Sequence, residues 1–144
     1  MLVMVAHGLV SSALFVLANI CYEAYGTRRL FLIKGVLCLR PVIAGFWFIS
    51  LVANMGAPPS INLQGELMLV LGVGQSSAGL LWLVAFRLFI SAAYCLHVYI
   101  ATQHGAPSFS LLRKFELSSR SVLCVMLHLG PVFLLIVKRE GLIS

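Results

Sequence analysis

Apolar residues follow one another along most of this chain in long runs, without the alternation of a half-buried strand or the single apolar stripe of a surface helix. Runs of about 20 apolar residues match the thickness of the hydrocarbon core of a bilayer. The pattern therefore predicts an all-α integral membrane protein. We expect four crossings, at residues 1–22, 35–73, 79–101 and 118–137.

The second of these crossings contains the sequence Gly56-Ala57-Pro58-Pro59-Ser60. Proline lacks a backbone N–H, and its ring clashes with the preceding turn of a helix. We therefore predict that this crossing is broken at 56–60 and that the helix resumes at about Ile61. The backbone groups freed by such a break need protein or water as partners, because lipid offers none. Broken helices of this kind are typical of transporters that move ions or protons.

Composition supports the membrane class, since 61% of the residues are hydrophobic and 10% are charged. The net charge of +6 reflects Lys and Arg in loops, and we do not interpret it as a sign of nucleic-acid binding. The positive-inside rule puts the loops after the first and third crossings inside and both chain ends outside. The basic residues in and beside these loops are Arg28, Arg29, Lys34, Arg113, Lys114 and Arg120.

The cysteines, Cys21, Cys38, Cys95 and Cys124, lie singly in separate apolar segments. The sequence has no Cys-x-x-Cys pair and no Cys/His ligand spacing, so we expect neither disulfides nor a metal site. It also lacks a glycine-rich phosphate loop and a nucleophilic triad. We therefore expect no cofactor on this chain.

Glu66 is the strongest candidate for chemistry. It follows the double proline in an otherwise apolar stretch, and a charged side chain at bilayer depth costs about 2.5–3.5 kcal/mol on insertion scales. Asn62 lies one helical turn earlier on the same face, and Gly65 allows another backbone to approach closely. A carboxylate in such a site can bind and release a proton reversibly. The alternative is that Glu66 pairs with a basic residue on another helix for packing only.

Two further polar residues lie inside the predicted crossings. His7 is in the first, where an imidazole can relay protons in a wet cavity, with Ser11 on the same face to hold a water. His7 can equally be a packing residue bonded to a backbone carbonyl. Arg87 can face a polar interior axis, pair with an acid on another chain, or extend to the membrane surface, and structural roles are favoured for it. Structural roles are also favoured for Tyr94, His97, Tyr99 and His128.

Residues 7–23, HGLVSSALFVLANICYE, and residues 51–67, LVANMGAPPSINLQGEL, resemble stretches of the subunit 4 family of mitochondrial NADH:ubiquinone oxidoreductase, which is respiratory complex I. Gln103-His104-Gly105 and His128-Leu129 continue the resemblance. The family has an antiporter-like fourteen-helix fold, and this chain is similar to its last four helices. The Pro-Pro break followed by Asn-Leu is similar to the mitochondrial version of the family.

By this resemblance, Glu66 matches the terminal glutamate of the family's proton path, on a broken helix, and His7 matches a histidine in the middle of its polar axis. The resemblance also implies the mitochondrial inner membrane, with the C-terminus in the intermembrane space, which agrees with the loop charges. Ala24 stands where the family has an arginine. Arg40 and Arg87 are charges that the family does not lead us to expect, so neither inherits a role.

The resemblance implies that this chain is the C-terminal part of a proton-translocating membrane-arm subunit of complex I, with His7 and Glu66 on the proton path. It would belong to the NADH:ubiquinone reductase without redox chemistry of its own, because NAD, flavin, iron–sulfur clusters and ubiquinone are bound elsewhere. Expected partners are neighbouring antiporter-like subunits, other complex I subunits, membrane lipids and a separate chain with the N-terminal helices of a split subunit, but no nucleic acid. The alternatives are a structural membrane-arm subunit without pumping and a cation/proton antiporter component.

Overall fold

The computed structural model describes residues 2–58, 60–107 and 118–143. These residues form helices and turns without a β-strand, so the prediction of an all-α chain is confirmed. Three helices are long and apolar enough to cross a membrane, over Met4–Tyr25, Gly79–Gln103 and Ser119–Lys138. The helices are α1 Leu2–Tyr25, α2 Val36–Leu39, α3 Pro41–Asn54, α4 Ile61–Ser76, α5 Ala78–Gln103 and α6 Ser119–Ile143, and a 3₁₀ turn spans Leu30–Leu32.

α1 is the central helix of the described chain, because it packs against α3, α4 and α6. Its buried residues recur every three or four positions, which places them on one helical face. They are Ala6, Val10, Ala13, Leu17, Cys21 and Ala24, with Ile20 beside them. The core that they form is therefore one-sided, and the opposite face of α1 remains exposed.

α5 contributes little to this core. Most of its apolar side chains are exposed, including Trp82, Phe86 and Phe89 in its first half. Exposed side chains of this size are unfavourable in water but suit contact with lipid or with further helices. The burial pattern is therefore that of a membrane helix whose outer face is covered by something other than the described residues.

The start of α3 differs from the sequence prediction. We expected one helix to pass through Pro41, but α2 ends at Leu39 and α3 begins at Pro41. Arg40 between them has φ −148° and ψ 89°, which is not helical. The cause is the proline ring, which disfavours the helical conformation of the residue before it while fitting well at the first position of a new helix.

The polar loop after α1 and the C-terminal end of α5 lie at the same end of the molecule. The backbone N–H of Gly35 donates a hydrogen bond of 3.3 Å to the carbonyl of His104, and the hydroxyl of Tyr25 donates one of 2.6 Å to the carbonyl of Lys34. The predicted basic pair Arg113 and Lys114 lies outside the described residues.

Candidate functional site

The chain leaves the helical conformation between α3 and α4. Gly56 has φ +72°, a left-handed conformation that glycine adopts without strain. The N–H of Gly56 donates to the carbonyl of Ala53 at 3.4 Å, and the N–H of Ala57 donates to that of Val52 at 3.2 Å. This pair of bonds is the Schellman motif, which satisfies the last carbonyls of a helix. α3 thus ends with its backbone groups paired, and α4 begins at Ile61; Pro59 lies outside the described residues.

Asn62 connects the two helices across this turn. Its side-chain Nδ2 donates a hydrogen bond of 2.8 Å to the carbonyl of Ala53, which lies near the end of α3. Asn62 is 7% exposed, and its Oδ1 has no hydrogen-bond partner among the described residues. An unpaired buried carbonyl oxygen is costly unless water or a ligand reaches it. The side chain therefore holds the turn in place and offers an acceptor beside it.

Glu66 lies one turn further along α4, and its carboxylate packs against Gly56. A Cβ atom built on Gly56 would be 2.8 Å from the Glu66 Cδ and 3.0 Å from its Oε1. A Cβ at this position would therefore displace the end of the Glu66 side chain. Gly56 is favoured by its positive φ, and its lack of a side chain also leaves the carboxylate where it lies.

A cavity of about 310 Å³ lies next to Glu66, between α1, α3, α4 and α5. This volume is sufficient for several water molecules, and the polar groups in its wall provide the partners that such waters need. Its polar residues are His7 from α1, Asn54 from α3, Asn62 and Glu66 from α4, and Arg87 and Ser91 from α5. The cavity therefore joins titratable and hydrogen-bonding groups from four helices.

The structure brings together the two residues that the sequence singled out, His7 and Glu66, which are far apart along the chain. Asn62 and Gly65 line the same cavity, and Asn62 is the one that the sequence placed on the helical face of Glu66. Ser11 does not join His7 there, because its hydroxyl donates to the Gly8 carbonyl of its own helix at 3.0 Å.

Sequence reasoning left Arg87 without a role, and it gave none to Asn54 or Ser91. Arg87 lines the cavity and lies close enough to interact electrostatically with Glu66. Asn54 donates a weak hydrogen bond of 3.7 Å to the Cys95 sulfur. The sequence did contain a sign that Arg87 and Ser91 belong to one polar site. They are four residues apart, so they lie on one face of an otherwise apolar helix.

His7 and Arg87 are both exposed in the described chain, so the cavity is accessible from outside.

The other polar candidates lie outside the lining of this cavity. Tyr94 and His97 are exposed on α5. The Nδ1 of His128 lies 2.7 Å from the carbonyl of Cys124 in its own helix. The rings of Tyr99 and His104 meet edge to face, with centroids 6.4 Å apart.

Residues 1–91, which include all the residues that line the cavity, match the family described as NADH:quinone oxidoreductase/Mrp antiporter, transmembrane. The chain is 41% identical over 141 residues to NADH-ubiquinone oxidoreductase chain 4 of Lumbricus terrestris, covering 98% of this chain and 31% of the relative. It is 42% identical to the protein of that name from Squalus acanthias, covering 95% of this chain and 30% of the relative. The one from Anopheles arabiensis is also 42% identical, with coverage of 94% and 61%. The chain thus spans about a third of the length of the first two relatives.

Proposed function

This chain belongs to the transmembrane family of NADH:quinone oxidoreductase and Mrp antiporter subunits, and we propose that it is the C-terminal part of subunit 4 of mitochondrial complex I. The relatives at about 41% identity carry the name of that subunit and align with nearly all of this chain. In this proposal the chain contributes to a proton path coupled to NADH oxidation and ubiquinone reduction. NAD, flavin, iron–sulfur clusters and ubiquinone are bound by other subunits of the complex.

The observation that carries the proton path is the shared cavity of His7 and Glu66. An imidazole and a carboxylate can each accept a proton from one group and deliver it to the next. Asn54, Asn62 and Ser91 add neutral polar side chains to the lining, which suits a hydrogen-bonded chain of waters between the two. In the proposed mechanism, a proton reaches Glu66 by way of His7 and these waters, and the carboxylate then releases it to the next group on the path.

Helix lengths support the membrane arrangement that we propose. α3 has 14 residues and α4 has 16, which at about 1.5 Å per residue makes each shorter than the hydrocarbon core of about 30 Å. Neither crosses alone, so they serve as the two halves of a broken second crossing, between α1 and the crossings by α5 and α6. We propose four crossings of a fourteen-helix fold in the mitochondrial inner membrane, with the C-terminus in the intermembrane space as the positive-inside rule favours.

Partner helices complete this arrangement. His7 and Arg87 are exposed in the described chain, and polar groups at membrane depth require cover from protein or water. A separate chain with the N-terminal helices of a split subunit provides that cover in our proposal. Neighbouring antiporter-like subunits and lipids surround the remaining apolar faces.

One observation favours a second function, that of a structural membrane-arm subunit without pumping. Arg87 lies near Glu66, and a permanent pairing of the two charges would make Glu66 a packing residue rather than a proton carrier. The two functions differ in one respect that can be measured, which is whether the titrating proton of Glu66 is needed.

The test is Glu66→Gln in the assembled complex, which keeps the size and hydrogen bonding of the side chain and removes its proton. We expect fewer protons pumped per NADH oxidised, or slower coupled turnover, at an unchanged level of assembly. The matched control is Glu23→Gln, because Glu23 is exposed and accepts a hydrogen bond of 2.8 Å from Asn19, away from the cavity. Unchanged pumping and turnover in assembled Glu66→Gln would favour the structural function.

A further inference from the structure

Arg87 is a fixed charge in the first half of an apolar membrane helix, α5. Its guanidinium remains protonated at every physiological pH, so its charge cannot be avoided by neutralisation. A residue of this kind within a membrane segment needs a partner or a water-filled space. The described chain offers both, because Arg87 lines the cavity that contains Glu66.

Few charged or ionisable side chains line the cavity. Among its lining residues, Glu66 is the single acid, Arg87 is the single permanent cation, and His7 is the one further group that titrates. Asn54, Asn62 and Ser91 are neutral. The positive charge that faces Glu66 from α5 is thus Arg87, and the group that faces it from α1 is His7.

The geometry differs from that of a locked ion pair. The carboxylate of Glu66 is packed against Gly56, and the described residues show no contact of 4.0 Å or less between its oxygens and the Arg87 nitrogens. Both side chains line the same cavity instead. An arrangement of this kind influences the protonation of a carboxylate while leaving its oxygens accessible to water.

We propose that Arg87 is the counter-charge of Glu66, a positioning residue that lets Glu66 give up its proton to the path. This rests on the proposed function above. A nearby positive charge favours the ionised carboxylate, so a proton that arrives from His7 is released again rather than retained. The rival assignment, in which Arg87 extends to the membrane surface as a structural anchor, gives it no influence on Glu66.

The experiment compares Arg87→Gln and Arg87→Lys in the assembled complex, with Arg29→Gln as the control for loss of one positive charge outside the cavity. The readouts are assembly, protons pumped per NADH oxidised and the pH profile of coupled turnover. In Arg87→Gln, the positive charge that favours the ionised carboxylate is lost, so the acid limb of the profile should move to higher pH. Arg87→Lys keeps the charge and should largely restore the profile. Arg29→Gln should resemble the wild type.

A double variant separates this proposal from the one on which it rests. If Arg87 acts through Glu66, the double variant Glu66→Gln/Arg87→Gln should match Glu66→Gln alone. It should show no further loss of coupled turnover or pumping and no additional shift of the pH profile. A normal profile for Arg87→Gln alongside impaired Glu66→Gln would overturn the role of Arg87 and leave the proton path standing. Normal Glu66→Gln would overturn the path itself. If Arg87→Gln does not assemble, Arg87→Lys decides, because a displaced profile in that charge-conserving variant contradicts the proposal.

Discussion

The carboxylate of Glu66 lies directly against Gly56, in the turn that separates α3 from α4. A Cβ on Gly56 would be 2.8 Å from the carboxyl carbon of Glu66. The same turn that ends α3 thus also creates the space for the acidic side chain. The turn between α3 and α4 and the carboxylate of Glu66 are therefore one structural unit rather than two separate features of this chain.

The first prediction concerns Gly56→Ala. The substitution forces a left-handed conformation on a residue with a Cβ, which costs about 1–2 kcal/mol, and its methyl group displaces the Glu66 carboxylate. We expect less assembled complex and lower thermal stability, together with impaired coupled turnover in what assembles. The matched control is Gly45→Ala in α3, where nothing lies within 4 Å of the added Cβ. Equal stability of the two variants in a thermal melt of the purified complex would contradict the requirement for glycine at 56.

The second prediction concerns the hydrogen bond across the turn. Asn62→Ala removes the donor to the Ala53 carbonyl, and losing one partner of a buried hydrogen bond costs about 1–3 kcal/mol. We expect reduced thermal stability and a less well-defined position of Glu66, seen as slower coupled turnover. Asn19→Ala is the control, since Asn19 is an exposed residue that bonds Glu23. A melt in which Asn62→Ala is as stable as Asn19→Ala would show that the turn does not depend on this bond.

The sequence predicted the parts of this fold that depend on the backbone preferences of a few neighbouring residues. The proline pair and Gly56 predict the turn because their backbone restrictions act within a few residues. Pro41 carries an equally local signal, and it explains why α3 starts there instead of continuing α2. Pro131, by contrast, lies inside α6 without ending it.

Which residues line the cavity could not be predicted from short stretches of sequence. His7, Glu66 and Arg87 are on three different helices, and the rotation of each helix about its axis is set by packing between helices. The sequence therefore identified His7 and Glu66 as candidates but left Arg87 divided between the interior and the membrane surface. Only the arrangement of α1, α4 and α5 together shows that all three line one cavity.

The third prediction concerns His7 as a proton relay. His7→Gln keeps a polar side chain in the cavity and removes the imidazole that would relay protons. We expect slower coupled turnover without loss of assembly, because His7 is exposed and its replacement creates no void in the described core. His97→Gln is the matched control, since His97 is also an exposed histidine on a membrane helix but lies outside the cavity lining. Equal turnover of the two variants would remove His7 from the path.

The fourth prediction concerns orientation in the membrane. The loop with Arg29 and the end of α5 lie at one end of the molecule, joined by the hydrogen bond from Gly35 to His104. In the proposed arrangement α3 and α4 form one of four crossings, so Lys138 near the end of α6 should lie on the side opposite to Arg29. The positive-inside rule assigns the Arg29 side to the matrix.

The measurement of orientation uses a thiol reagent that does not cross membranes, in a background where the exposed Cys38 is replaced by Ser. Arg29→Cys should be labelled in inverted inner-membrane vesicles and protected in mitoplasts, and Lys138→Cys should show the reverse. If both positions are labelled from the same side, an even number of crossings separates them and the described chain makes an odd total. That result would contradict α3 and α4 as halves of one crossing. Labelling of each from the side opposite to the expected one would preserve the four crossings and invert the chain, so that the C-terminus would face the matrix.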